Sequence, residues 1–179
     1  LVDVVIHITH AMRVAAHLDI PFLTFDAVDA YKQGVADYMI EEYRRGRTPN
    51  PDVMCNKMVK FGAFLQFALT HDADFVATGH YAQVDHTETG PVLKRGVDEG
   101  KDQSYFLFTL TQEQLQYVRF PLGGMTKEEV RVHATRLGLR VAEKPESQDI
   151  CFVPDGDYVR FLEERRGTGT MNGEIVYVD

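Results

Sequence analysis

Two short apolar runs bracket a long helical stretch, and their order limits the folds open to this chain. The first is IPFLTF at residues 20–25; the second is DFVAT at 74–78, which runs directly into Gly79-His80. Between them, Asp29 to Arg45 has helical periodicity and is closed by basic residues and Gly46, a common C-terminal stop. A Pro49-Asn50-Pro51 turn follows. A second helix is predicted from about Val53 to Leu69, with Phe61, Leu65 and Ala68 on one face. Strand, helix, strand is the pattern of a parallel α/β sheet, because parallel neighbours need a long crossover.

The flanking sequence extends this scheme. Ala11, Val14, Ala15 and Leu18 recur at helical spacing upstream. Downstream, Tyr81–Val84 and Val92–Arg95 pair as a predicted hairpin around the polar loop at Asp85–Gly90. Thr126 with Glu129 is a capping box for a helix ending near Gly138, and Asp157 is placed to cap a short helix reaching about Arg166. Gly167–Gly173 reads as a linker before a last strand, EIVYV. At 179 residues the chain fits one domain, or one domain plus part of another.

The chain has 179 residues, 44% hydrophobic and 26% charged, which is ordinary for a folded protein. No apolar run approaches the roughly 20 residues that span a bilayer, and no basic-then-apolar leader is present, so no membrane partner is expected. Two cysteines without a secretory signal point to the reducing cytoplasm, where thiols serve chemistry more often than structure. Neither has a second cysteine or a histidine at ligand spacing, and no metal is expected. The net charge of −8 argues against a generic nucleic-acid coat, although a local basic surface can still bind one. The chain starts at Leu1 and stops at Asp179 inside a predicted strand, and both ends read as cut.

The chemistry concentrates between Gly46 and Phe61. Cys55 follows Asp52 by three residues on a proline-stiffened segment, with Arg44, Arg45, Arg47, Lys57 and Lys60 around it. Asp52 occupies the expected N-cap and Cys55 falls at N3, where helix-start amides and positive charge favour a thiolate. Asp52 is either a base for the thiol or only the cap. A small buried thiol is the competing reading of Cys55, and its place at a helix start favours reactivity. Cys151, in SQDICFVPDGDY, reads by itself as a buried strand end, though Ser147, Gln148 and Asp149 suggest a loop. Gly79-His80, directly after a strand, stands where open α/β sheets bind ligands, or is a plain turn. Lys101-Asp102-Gln103-Ser104 is either a solvated loop or a contact to phosphates and base edges. The helix at Thr126, despite Lys127, Arg131, His133, Arg136 and Arg140, reads as solvated.

Taken together, GRTPNPD-VMCN-KFGAFLQFA, ATGHYA, KDQSYFL, FPLGGMTKEEVR and AEKPESQDICF resemble the bacterial tRNA-specific 2-thiouridylase family, in order and over nearly the whole chain. The resemblance implies a Rossmann-like α/β PP-loop ATP pyrophosphatase domain, its remainder spanning 1–153 here, then a linker helix and the start of a central tRNA-binding domain over 154–179, with a β-barrel following in the family. It implies 2-thiolation of the wobble uridine of tRNA: ATP, with Mg2+, adenylates the uracil oxygen, and sulfur arrives as a persulfide on Cys151 from an upstream sulfur-relay donor protein. Cys55 then attacks that persulfide, either freeing hydrogen sulfide or releasing the product through a Cys55–Cys151 disulfide, with Asp52 as base or water-orienting group. Asn50, Pro51 and Asp52 would hold a flipped-out base. Lys101, Asp102 and Gln103 would contact tRNA, Gly79 would lie against ATP, and His80 would lie beside the tRNA.

The sequence departs from that family at its start. The Ser-Gly-Gly-x-Asp-Ser loop that cradles pyrophosphate is absent, the first glycine being Gly34, and most of the central domain and the barrel are missing. The expectation is a PP-loop domain lacking its first strand and loop, unable to adenylate tRNA unaided. A catalytically incompetent tRNA-binding remnant and a thiol redox protein are the alternatives. Among related PP-loop enzymes, those making 4-thiouridine or 2-thiocytidine are the runner-up readings, but the spacing of TPNPD and cysteine favours 2-thiouridine.

Overall fold

A computed structural model describes residues 2–139, with side chains from Ile8 onward, and Asp157, Arg160, Phe161, Glu163 and Glu164 beyond them. Helix α1 (Val2–His17) comes first. At its end the His17 Nε2 lies 2.7 Å from the carbonyl of Leu137, tying the first helix to the far end of the described chain.

Two longer helical rods follow. The first runs over 28–44 as α2 (Val28–Tyr31), a π-helical stretch (Lys32–Asp37) and α3 (Tyr38–Arg44). Gly46, at φ +72°, closes it as expected. The second runs over 51–70 as α4 (Pro51–Met54), a π-helical stretch (Cys55–Phe64) and α5 (Leu65–Thr70). Glycine makes both the crossing and the wide turn possible. A Cβ on Gly34 would stand 2.8 Å from the Met58 Cβ, and one on Gly62 would stand 2.9 Å from the Lys57 carbonyl oxygen.

The parallel pairing exists, but between different partners from those expected. Strand β1 (Val76–Ala77) pairs in parallel with β4 (Val118–Arg119), with Val76 opposite Val118. Residues 20–25, expected as a buried strand, instead belong to neither helix nor strand, and Leu23 is 82% exposed. The physical reason is the lack of a neighbour: among the described residues β1 pairs only with β4, and an unpaired strand leaves its amides unsatisfied. Only Phe25 of this segment docks, with its ring 4.7 Å from that of Phe67 and 5.8 Å from that of Phe64.

The expected hairpin is present and longer than predicted. Strands β2 (Ala82–Thr87) and β3 (Gly90–Arg95) are antiparallel from Ala82↔Arg95 to Thr87↔Gly90. A single 3₁₀ turn (Ser104–Leu107) and α6 (Gln112–Gln116) lead to β4, and α7 (Lys127–Arg136) carries the predicted Thr126/Glu129 capping box. The Asp157 cap is also present: its Oδ1 accepts the Arg160 amide at 2.9 Å. Cys151, the linker at 167–173 and EIVYV lie outside the described residues.

Phe61, Ala82, Leu107, Val118 and Phe120 form the core, flanked by Val84, Leu93 and Leu110. They come from the second rod, the hairpin, the 3₁₀ turn and the β4 region, so one apolar cluster clamps together segments far apart in sequence. Gly123 fits against this cluster because a Cβ there would overlap the Ala82 carbonyl, whereas one on Gly124 would meet nothing within 4 Å. Gly123→Ala is therefore expected to cost about 3 kcal/mol or more through forced backbone displacement. Gly124→Ala should stay within about 0.5 kcal/mol. Urea unfolding of the two variants is the check.

Candidate active site

The site begins where the second rod begins. Pro51 fixes the residue before it in extended backbone and brings no amide of its own, so Asn50 (φ −111°, ψ 99°) becomes the N-cap. Its Oδ1 accepts the Val53 amide at 3.1 Å. This corrects the expectation that Asp52 caps the helix. Asp52 is an exposed residue of the first turn, and its carboxylate is not used as the cap.

Cys55 consequently sits beyond the first turn. It is half-buried, and its amide already donates to the Asp52 and Pro51 carbonyls within the helix. The helix-start contribution to a thiolate, which fades after the first turn, is thus smaller than the N3 position promised. The expected ring of positive charge is also partly neutralised. Arg45 and Arg47 reach Glu41 and Glu42 at 2.9 Å, and Arg44 reaches Glu41 at 3.8 Å. Lys57 and Lys60 remain as exposed residues on the rod itself.

Asn56, next to the cysteine, was not singled out from the sequence. It is only 3% exposed, donates its Nδ2–H to the Phe106 carbonyl at 3.2 Å, and leaves its Oδ1 without a partner. A lone Asn inside a helical run of apolar residues was the available signal. This bond joins the cysteine helix to the turn that follows Lys101-Asp102-Gln103.

That loop is itself tightly built. Asp102 accepts the Gly96 amide at 2.9 Å, the Ser104 amide at 3.2 Å and the Ser104 hydroxyl at 2.8 Å. Burial raises the pKa of its carboxyl, but these donors and nearby Arg95 outweigh that and hold it below its ordinary value. Gln103 makes a two-way clasp with Tyr81. Its Oε1 accepts the Tyr81 amide at 3.0 Å, while its own amide donates to the Tyr81 carbonyl at 2.9 Å. The side chains of Asp102 and Gln103 thus shape the loop, and Lys101 is half-buried beside them.

The clasp brings in the third motif, since Tyr81 follows Gly79-His80. Gly79 is exposed just past β1, and a Cβ there would stand an ordinary 3.7 Å from Leu122, leaving open backbone. His80 is 8% exposed, its ring centroid 5.8 Å from those of both Phe61 and Phe120, and Thr78 Oγ1 lies 2.7 Å from its Nδ1. Burial, with Lys60 adding to it, lowers the imidazole from 6.5 to about 4. His80 is neutral at pH 7 and acts as a wall of the site's floor. Among the described residues, then, the structure assembles Asn50, Pro51, Asp52, Cys55, Gly79, His80, Lys101, Asp102 and Gln103 on one connected framework. No group of three or more acidic, His or Cys side chains there could hold a metal.

This framework can be set against known proteins. A family model described as the tRNA methyl transferase HUP domain matches residues 5–155. The chain belongs to that family. Its relatives include proteins called tRNA-specific 2-thiouridylase MnmA. One from Geobacter metallireducens is 60% identical over 93% of this chain and 45% of its own length. One from Geotalea uraniireducens is 56% identical over 93% and 44%. A third, from Rickettsia conorii, is 47% identical over 94% and 46%. The chain thus spans about half the length of the curated relatives it matches, and the HUP assignment agrees with its parallel α/β pairing. No helix among the described residues is long and apolar enough to cross a membrane.

The buried His80 gives the HUP domain a pH signature. Because its folded pKa lies below the unfolded value, the unfolded chain binds more protons between about pH 4 and 6.5. Its contribution is full above about pH 6.5 and is lost as pH falls, to a limit of about 3 kcal/mol. Unfolding free energies from pH 4.5 to 7 should therefore fall less steeply toward acid in His80→Gln than in the parent. Parallel slopes would contradict the assignment.

Proposed function

We propose that this chain is the sulfur-handling part of a tRNA-uridine 2-sulfurtransferase that converts the wobble uridine to 2-thiouridine. The observation that carries this reading is the joining of three separated motifs by side-chain bonds, Asn56 to Phe106 and Gln103 to Tyr81. The names of the relatives support the same activity. The half-buried Asn50 and exposed Asp52, set by the buried Pro51 between them, would meet the target base at this helix start, and that base must leave its stack to be reached. Cys55 follows on the next turn of the same helix.

Within this reading the transferred sulfur rides on Cys151 as a persulfide supplied by a relay protein. The outer persulfide sulfur bonds to the activated uridine carbon as the carbon–oxygen bond breaks and AMP leaves with that oxygen, and the Cys55 thiolate then attacks the Cys151 sulfur. The bond between Cys151 and the transferred sulfur breaks, and its electron pair leaves with the 2-thio product. A Cys55–Cys151 disulfide forms, and a thiol reductant restores both cysteines. The exposed Asp52 carboxylate, one turn before Cys55, is the group available to take a proton.

ATP, with Mg2+, would activate the uridine oxygen. Among the described residues the fit to this nucleotide is confined to Gly79, whose open backbone follows β1, and no glycine-rich helix start cradles a phosphate. The adenylation step is therefore not assigned to these residues. The same reading places the protein in the cytoplasm, where tRNA and the relay donor are met.

A chimera tests the assignment, with residues 5–155 replacing the matching stretch of the Geobacter relative in a strain lacking 2-thiouridine. The chimera should restore 2-thiouridine, measured by mass spectrometry of digested tRNA. Cys55→Ser and Cys151→Ser should each cut it by more than about 100-fold while tRNA affinity stays within about threefold. Thiolation persisting in either variant would refute the sulfur-transfer roles.

A further inference from the structure

The turn beside the site carries an aromatic pair that the proposed chemistry does not use. Tyr105 is 64% exposed and Phe108 is 65% exposed, with ring centroids 6.1 Å apart at an interplanar angle of 41°. Two large rings held in water are expensive unless something covers them. They are not on a loose loop. Leu107 between them is fully buried, the Phe106 carbonyl is held by Asn56, and the Phe106 amide bonds to the Gln103 carbonyl at 3.0 Å. Asp102 pins the entry to the turn through Gly96 and Ser104. Rigid rings lose little freedom when they are covered, which suits them to binding.

We propose that Tyr105 and Phe108 form a stacking platform for unpaired bases of an RNA loop, an inference that rests on the tRNA reading above. The surroundings favour a nucleic acid over an apolar protein face. Lys101 precedes the turn, and the Arg95 side chain is 86% exposed and only loosely paired with Asp102 at 3.9 Å. Cationic side chains around exposed rings match a strand whose backbone is anionic and whose bases present flat faces. Continuity places the platform beside the reacting groups, because the Asn56–Phe106 bond fixes this turn to the Cys55 helix. The target base leaves its stack for the helix start, and the platform receives its neighbours in the loop.

The test uses the chain as it stands, with an unmodified anticodon stem–loop RNA and a blunt RNA duplex as probes in fluorescence anisotropy. Tyr105→Ala and Phe108→Ala should each weaken stem–loop binding about tenfold and leave duplex binding unchanged. Tyr105→Phe should restore affinity to within about twofold, since the stacking face is kept. The melting temperature should move by less than about 2 °C, because both rings are exposed. A 4-thiouridine placed in the loop should photo-cross-link the unsubstituted chain within residues 105–108. Alanine variants that bind the stem–loop like the parent, equal losses for loop and duplex, or cross-links confined to other peptides overturn the platform while leaving the tRNA reading standing. A parent chain that binds no stem–loop overturns both. Self-association abolished by the same substitutions, with RNA binding unchanged, also overturns the platform.

Discussion

The burial of Phe61 is the contact on which the rest of the site depends. Its side chain is fully buried against the rings of His80 and Phe120, and its carbonyl accepts the Gln114 Nε2–H at 2.8 Å. Burying a side chain of this size stabilises by roughly 1.5–3 kcal/mol. More important is what it fixes. Phe61 lies on the rod that carries Cys55, so the same contact that fills the core sets where the thiol stands relative to β1, the hairpin and the 3₁₀ turn. The Asn56 and Gln103 hydrogen bonds then set the finer position, since each is made in a partly buried setting where a lost partner is costly.

The electrostatics of this framework are quieter than the charge count suggested. The arginines before the helix are shared with Glu41 and Glu42 through half-exposed pairs that contribute little to stability. Asp102 is occupied by three hydrogen-bond donors, the Gly96 amide and the Ser104 amide and hydroxyl, and His80 is kept neutral by its burial among apolar neighbours. What remains for an anionic partner is a small set of exposed cations, Arg95, Lys57 and Lys60, around a helix start and an aromatic pair. Such an arrangement suits recognition of one folded RNA loop better than general nucleic-acid binding, in keeping with the net charge of −8.

Much of this was legible in the sequence wherever local chemistry decides. The Thr126/Glu129 box, the Gly46 stop, the hairpin and the Asp157 cap all follow from neighbours within four residues or from strict alternation. The N-cap falls on Asn50, two residues before the expected Asp52, because Pro51 holds Asn50 in extended backbone. IPFLTF was misread because a strand exists only with a partner, and partners are not written in the strand itself. The π-helical stretches and the Asn56–Phe106 bond depend on tertiary contacts across the chain, so no window of sequence contains them. Motif order, by contrast, pointed to the family to which the chain belongs.

The central claim is that Cys55 and the RNA-facing turn belong to one site. The most direct measurement is the rate at which iodoacetamide alkylates Cys55, followed by peptide mass spectrometry, with and without a saturating anticodon stem–loop. One shared site predicts that the stem–loop slows Cys55 alkylation at least about tenfold, because the bound loop covers the thiolate's line of approach, while a duplex of equal charge leaves the rate unchanged. Equal alkylation rates in the presence of bound stem–loop would contradict it.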